Sequence, residues 1–522
     1  MSAAALVQSV DWLAVAPPGI TAVMALVVLV ADLFVEEHRK PLLGAVSVAG
    51  LVLALLSLLP LRSGDRTTFC LTRGHHLCSY TADHFALAIQ LLVLGGALLT
   101  ALLSMAGGDC APEAEADRFP GEYWFLLLSS ASGAALLPAA RDLATLVVAL
   151  EVASLPAFAL VGIRRGDRLS AEAALKFFLS SVAATAVMLL GVSFVYAATG
   201  SLHLSAVATG LTHVPDQLRP VAGAGVLLTL VGFAFKTAAA PFHFWVPDTY
   251  VGAPLPIAAY LSVVSKAVGF SGLILVTVVA FPPYAHLWGP ALAVFAALTM
   301  SVGNAAALRQ SATRARGAVR LLAWSSVAQA GYLLVPIAAA AYAGEQRVGS
   351  TVAYALMYAA VNLGAFGVAA LVARARPLGR LDDYRGLYAR RPLTALALAF
   401  FLLCLAGLPP GIIGLFAKVT VFSSAVDAGL GWLAVLMAAN VVCGLYYYLR
   451  WTALLFRAPG RADPSAAGQP EADAPEADAP ATAVPEAAPR PLVAAVALAA
   501  VVGLALSGAP QLVLRLTDTN LF

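Results

Sequence analysis

Apolar residues run in long blocks through most of the chain, separated by short clusters of charge, proline, glycine and other polar residues. A helix needs about 20 mostly apolar residues to cross the hydrocarbon core of a bilayer. Cutting the blocks at their breakers predicts fourteen membrane helices, near 15–35, 41–61, 83–106, 121–139, 141–163, 170–199, 219–245, 255–281, 287–308, 317–342, 348–373, 392–425, 430–455 and 491–514. The first is read as a retained helix, not a signal peptide, because Met1 to Ala14 contains no Lys or Arg to form a basic leading region. The pattern predicts an all-α integral membrane protein.

Composition agrees. Of 522 residues, 61% are hydrophobic and only 11% charged, against about 25% charged in soluble domains. Such a chain cannot cover a water-facing surface, and a bilayer removes the need. A formal charge of +3, with arginines confined to short inter-segment clusters, excludes a nucleic-acid-binding face. Five cysteines without metal spacing or a CxxC pair leave no iron-sulfur or zinc site to expect in this chain. Any redox chemistry belongs to other polypeptides.

Arginine and lysine set the expected orientation, because basic loops stay on the cytoplasmic side. With both termini outside, the loops after segments 1, 3, 5, 7, 9, 11 and 13 hold 20 of the 31 basic residues, with seven outside and four inside segments. Cys70 and Cys78 share the outside loop from Arg62 to Asp83, as a disulfide in an oxidising compartment or as two free thiols. The stretch from Arg457 to Arg490 carries seven prolines, six acids and EADAPEADAP. That composition cannot bury a core, so a disordered cytoplasmic linker is expected, a plain tether or a docking segment.

The lysines are the informative residues. The chain has five against 26 arginines, yet four of the five, Lys176, Lys236, Lys266 and Lys418, lie inside apolar segments. An ammonium near the bilayer centre costs about 3 kcal/mol even on the lenient insertion scale. Lys, unlike Arg, loses its proton when desolvated, so a buried row of lysines suits proton passage. Glu151, midway through the fifth segment in ATLVVALEVASLPAFAL, lies too deep to snorkel and needs a cationic partner or a wet cavity. Lys236 is the candidate partner: a contact that closes and opens makes a switch, whereas a permanent one is a static buried ion pair. Lys176 stands four residues after Glu172, so an ordinary i, i+4 pair explains it as well as a proton role. Lys266 and Lys418 have no acid nearby in sequence. Thr237, Ser262 and Ser265 either hold water beside these charges or bond their own backbone.

Two long segments are interrupted near their lysines. Lys236 is followed by TAAAPFHFWVPD, and Lys418 is preceded by Gly407, Pro409, Pro410, Gly411 and Gly414. Proline frees backbone carbonyls, and irregular backbone in mid-membrane is tolerated only in protein or along a wet cavity. Taking 121–281 and 287–456 as two five-helix units (helices 4–8 and 9–13), each broken helix is the fourth of its unit. Five is odd, so the units are inverted relative to each other, as in many transporters. Residues 1–120 precede them, and 457–490 lead to a last helix in 491–522. Ser325, Ser326, Gln329, Asn362 and Asn440 add polar groups to the second unit.

The stretches GFAFKTAAAPFHFWVPDTYVGAP, YLSVVSKAVGF, LLAWSSVAQAGYLL and LAGLPPGIIGLFAKVTVF resemble the antiporter-like membrane subunits of proton-pumping NADH:quinone oxidoreductase, respiratory complex I. The likeness runs from about Gly121 to Phe456. It implies proton translocation by a glutamate in helix 5, lysines in helices 7 and 8 and a charged residue in helix 12, here Glu151, Lys236, Lys266 and Lys418, with Lys176 matching a lysine in helix 6. The absence of room for a lateral helix before Phe522, a lysine where the middle subunit usually has glutamate, and VAYALMYAAVNLGAF make it most like the smallest of the three, subunit N. One departure is Gln329, where many members carry histidine. The resemblance further implies no cofactor in this chain, with FMN, iron-sulfur clusters and quinone in partner subunits, and a bacterial inner membrane location beside other complex I membrane subunits. The expected route loads Lys236 and Lys266 from the cytoplasm, crosses to Lys418 and exits outside, switched at the Glu151 contact. Two rivals are a subunit of a multisubunit Na+/H+ antiporter, which shares the fold and lysines, and a structural membrane scaffold.

Overall fold

The computed structural model describes residues 10–71, 77–107, 119–458, 489–518 and 521–522. Helices account for almost all of it: α1 (Trp12–Phe34), α2 (Pro41–Leu56), α3 (His84–Ser104), α4 (Gly121–Leu136), α5 (Leu143–Val161), α6 (Arg168–Thr199), α7 (Leu204–Thr212), α8 (Arg219–Thr237), α9 (Trp245–Gly252), α10 (Leu255–Tyr260), α11 (Lys266–Ile274), α12 (Ala285–Leu308), α13 (Gly317–Ala343), α14 (Val348–Ala373), α15 (Leu387–Arg390), α16 (Pro392–Ala406), α17 (Ile412–Asp427), α18 (Gly431–Phe456), α19 (Arg490–Gly508) and α20 (Gln511–Asp518). Among the described residues, twelve helical stretches are each long and apolar enough to cross a membrane. The other two of the fourteen expected spans are α4, extended by a 3-10 turn at Leu137–Ala139, and the pair α16–α17. Fifteen residues of α16 rise only about 22 Å, short of the hydrocarbon core, so that span is completed only across its break. Most of the expected Arg457–Arg490 linker lies outside the described residues.

One element departs from an all-α chain. Arg66–Cys70 and Cys78–Ala82 pair antiparallel as β1 and β2, with Cys70 opposite Cys78 and a disulfide joining them. The segments RTTFC and CSYTA are rich in β-branched and aromatic residues, which suit a pleated strand. Seen as one loop between two long apolar blocks, they were hidden from helix periodicity.

The hairpin also sorts the loops by face. Asp11, the N-cap of α1, accepts from Arg66 Nη1 at 3.0 Å, and its backbone N–H donates to Thr68. The Arg141 N–H donates to the Ser79 carbonyl, Arg141 pairs with Asp83, and Phe85 N–H donates to the carbonyl of Leu521. Burial pushes the Asp83 carboxyl above its ordinary range, opposed by the Arg141 guanidinium beside it. Both described ends of the chain therefore meet the hairpin face, which requires an even number of crossings. On the opposite face Arg374 donates to the Ala106 carbonyl, Arg316 to that of Val251, and Gly386 N–H to that of Leu454. Arg164, Arg165, Arg376, Arg390 and Arg391 lie in the loops that this face collects.

Candidate functional site

The break in the seventh span begins where α8 ends. Ala238 adopts the left-handed conformation (φ 67°) that closes the helix, and the chain runs irregularly to Trp245, where α9 resumes. The irregular turn is stitched in place: Ala240 N–H donates to Thr299 Oγ1 of α12 at 2.8 Å, and Trp245 Nε1 reaches back across the gap to the Phe235 carbonyl at 3.1 Å. Lys236 stands in the last turn of α8, 2% exposed. Its Nζ has no hydrogen-bond partner. It lies instead over the rings of Phe177 and Phe158, 5.1 and 5.6 Å from their centroids, where the ring quadrupoles offset part of the cost of desolvation.

Glu151 is placed otherwise than expected. It is half-buried on α5 and accepts from Thr185 Oγ1 of α6 at 2.7 Å. No ion pair within 4.0 Å joins it to Lys236, although it is the charged group whose field acts on that lysine. The predicted contact is open here, and a threonine hydroxyl holds the carboxylate in the lysine's stead.

Lys266 follows directly. It is 1% exposed, and Nζ donates to the Ser326 carbonyl of α13. Short π-helical turns at Leu261–Ser265 and Leu275–Ala280 bracket its helix, a distortion common at functional sites. The helix is pressed against the first break: a Cβ on Gly269 would stand 2.4 Å from both the backbone N and Oγ1 of Thr237. Thr237 Oγ1 donates to its own helix, at Phe233, and Ser262 to Ala259. Ser262 also accepts from Asn362 Nδ2 at 2.5 Å, while Ser265 Oγ and Asn362 Oδ1 are buried without partners.

Lys418 lies beyond the second break, on α17. Nζ donates to the carbonyls of Leu405 and Ala406 at 2.9 and 2.6 Å. These are end carbonyls of α16, left free by the break, and a cation there also meets the negative end of the helix dipole. Gly407 closes α16 at φ 84°, and its own Cβ position is 3.5 Å from Lys418 Nζ. The breaks correspond, but the lysines do not: Lys236 precedes its break and Lys418 follows its own. The order of each lysine and its Pro- and Gly-rich run in the sequence already carried that difference.

Between Lys266 and Lys418 lie two groups of hydrogen-bonded side chains that sequence reading noticed only in part. Tyr358 OH donates to Ser326 Oγ at 3.2 Å, Tyr354 OH to Gln329 Oε1, and Gln329 Nε2 to Tyr448 OH at 3.1 Å, which lies 2.5 Å from Ser325 Oγ. Tyr354, Tyr358, Gln329 and Lys418 line one cavity with Cys404 and Gly414. Gln329 thus sits at the centre of a hydroxyl and amide network that shares a cavity with Lys418, whose own bonds go to the α16 carbonyls. The signal was present in the spacing of Tyr354 and Tyr358, four apart on one helix face.

Lys176 is apart from this row. It is about half exposed and pairs with Glu172 at 2.8 Å and with Asp248 of α9 at 3.0 Å, and Asp248 accepts from Arg320 at 3.4 Å. Three residues earlier, in the first turn of the same helix, Trp245 stacks on Phe177 with ring centroids 4.4 Å apart. This surface cluster is thereby tied, through α9, to the ring under Lys236. Among the described residues no group of three or more metal-ligating side chains occurs.

Residues 140–443 match the family described as NADH:quinone oxidoreductase/Mrp antiporter, TM. NADH-quinone oxidoreductase subunit N 2 of Streptomyces griseus subsp. griseus is 72% identical, over 100% of this chain and 96% of that protein. The subunit N of Salinispora tropica is 46% identical over 98% and 99%. Among solved structures, a chain of respiratory complex I from Thermus thermophilus with bound Aureothin superposes with a TM-score of 0.71 at 32% identity, covering 96% of this chain and 98% of that one. A chain of the Mrp complex from Dietzia sp. DQ12-45-1b shares the fold, with a TM-score of 0.78 at 22% identity. On the match over 140–443 and these full-length relatives, the chain belongs to the family of NADH:quinone oxidoreductase and Mrp antiporter transmembrane subunits.

Proposed function

We propose that the chain is a subunit N-type membrane subunit of NADH:quinone oxidoreductase and that it moves protons through Glu151, Lys236, Lys266 and Lys418. The observation that carries this reading is the series of buried polar groups set between two helix breaks. Lys236 packs on the helix of Lys266 at Gly269, Lys266 bonds Ser326, Tyr358 bonds Ser326, and Tyr358 lines the cavity of Lys418. A scaffold needs none of this: static buried charges are normally paired, and Lys236 has no partner.

The residues act as follows. The unpartnered Lys236 takes or gives a proton without breaking a hydrogen bond. Glu151, on Thr185 in this conformation, swings toward Lys236 to hold the proton there and away from it to let the proton pass to Lys266. From there the proton passes to Lys418 by way of water in the cavity lined by Tyr354, Tyr358 and Lys418, bypassing the Gln329 amide, which orders the Tyr354 and Tyr448 hydroxyls but cannot itself carry a proton. Lys418 delivers it outward when its hold on the α16 carbonyls loosens. Lys176, Asp248 and Arg320 form the mouth on the arginine-rich face, which is cytoplasmic by the positive-inside rule, with both termini on the outer side of a bacterial plasma membrane. The two five-helix units, 121–281 and 287–456, supply one break each. The driving energy comes from FMN, iron-sulfur and quinone chemistry in partner subunits, through neighbouring membrane subunits, as the likeness to NADH-quinone oxidoreductase subunit N suggests.

The test is purification of the chain from its own membranes with its natural partners. Co-purification with flavin and iron-sulfur subunits, and loss of NADH-driven proton uptake when the chain is deleted, support the reading. Assembly with small antiporter subunits, and sodium-dependent proton exchange without NADH, would replace it with the antiporter alternative.

A further inference from the structure

Far from the lysine row, on the arginine-rich face, a groove opens between the ends of α12 and α18, the start of α13 and the loop leading to α15. The space there, open solvent included, is about 330 Å3, and Leu308, Leu321, Leu381 and Leu454 make its floor apolar. Three polar side chains line it with unused hydrogen-bonding capacity. Trp451, 1% exposed, has a buried Nε1–H with no acceptor. Its ring is fixed edge-on to Tyr384, centroids 5.2 Å apart. Gln310 donates from Nε2 to the Ala306 carbonyl, which leaves Oε1 buried without a donor. Arg450, exposed at the rim, has no acidic partner within 4.0 Å among the described residues. A buried donor or acceptor left unmade costs about 1–3 kcal/mol, so two in one groove call for an occupant.

Height in the membrane narrows the occupant. α12 ends at Leu308 and α18 at Phe456, so Arg450 lies about 9 Å up its helix from the end, within reach of the headgroup layer for a snorkelling arginine. The demands are an anionic acceptor for Arg450 and Trp451, a hydroxyl or amine donor for Gln310, and an apolar tail for the leucines. Basic pockets between membrane helices on the cytoplasmic side bind anionic headgroups. We infer that this groove is a specific site for an anionic phospholipid with a hydroxyl-bearing headgroup, its phosphate on Arg450 and Trp451, its headgroup hydroxyl on Gln310 and the start of an acyl chain on the leucine floor.

The experiment uses the intact complex in vesicles of phosphatidylcholine doped with phosphatidylglycerol carrying a photoactivatable group near the top of its acyl chain. Crosslinked peptides are mapped by mass spectrometry. Labelling of the segments around Leu308 and Leu454 is expected, displaced by unlabelled phosphatidylglycerol and not by phosphatidylcholine or inorganic phosphate. It should fall about tenfold in Arg450→Gln, the size of one charge-assisted hydrogen bond. Trp451→Phe, which keeps an aromatic ring and removes the N–H together with the pyrrole half of the indole, should lower it as well, with the amount of assembled complex unchanged. Equal competition by phosphatidylcholine would reduce the groove to ordinary lipid contact, and competition by inorganic phosphate to a plain anion site. Labelling indifferent to both substitutions, or absent because a neighbouring subunit covers the groove, also overturns the proposal.

Discussion

Lys236 and Gln329 behave as opposites in this molecule. The first is a buried charge with nothing to bond, and the second a neutral amide with both ends in use. An unpaired charge is poised for change and a saturated amide for order. Replacing Gln329 with leucine takes the acceptor from the buried Tyr354 hydroxyl and one of two partners from Tyr448, which keeps Ser325. The loss at Tyr354 should cost about 1–3 kcal/mol, seen as a lower temperature of heat inactivation of the complex, whereas Gln329→His should keep the network and the pumping. Thr185→Val tests the carboxylate's resting place: with its donor gone, Glu151 spends more time near Lys236. Proton uptake per NADH oxidised should fall while assembly persists; an unchanged ratio counts against a moving Glu151.

Helix breaks give the second scale its character, and glycines decide how closely the parts fit around them. A Cβ on Gly414 would lie 1.6 Å from the Cys404 carbonyl, and one on Gly269 2.4 Å from Thr237, where the colliding atoms are mostly backbone that has no way to retreat. Gly414→Ala and Gly269→Ala should each cost at least about 1–3 kcal/mol, the usual penalty of overpacking, and reduce assembled complex on a native gel stained for NADH dehydrogenase. Gly431, with open space around it, is the control and should tolerate alanine. Fourteen apolar blocks, two Pro- and Gly-marked breaks and the four membrane lysines were legible in the sequence because each is a local pattern. Less local facts were not. The π turns around Lys266 have no residue signature, and the carbonyls that Lys418 bonds follow only from where α16 ends. The open Glu151 contact depends on Thr185, a residue on another helix. Tyr448 joins Ser325 and Gln329 only through a packing of α13 on α18 that no spacing announces.

At the scale of the whole molecule, the hairpin with its disulfide gathers both described ends and the loop at Arg141 on one face, and the arginines crowd the other. If the arginine-rich face is cytoplasmic, Cys70 and Cys78, in a chain lacking its other three cysteines, should react with a membrane-impermeant thiol reagent in intact cells after mild reduction. Reaction confined to inverted vesicles would reverse the orientation and with it the direction assigned to the path.

The central claim is that Lys236 lies in a proton path driven from outside this chain. Inverted membrane vesicles carrying Lys236→Met test it most directly, with NADH-driven proton uptake, NADH oxidation and the amount of assembled complex recorded together. The account predicts normal assembly with uptake lost or strongly reduced, alone or along with coupled NADH oxidation. Unchanged uptake per assembled complex would contradict it, and so would a loss that merely follows the loss of complex, since the lysine would then be a structural part of the membrane arm and not a station on its path.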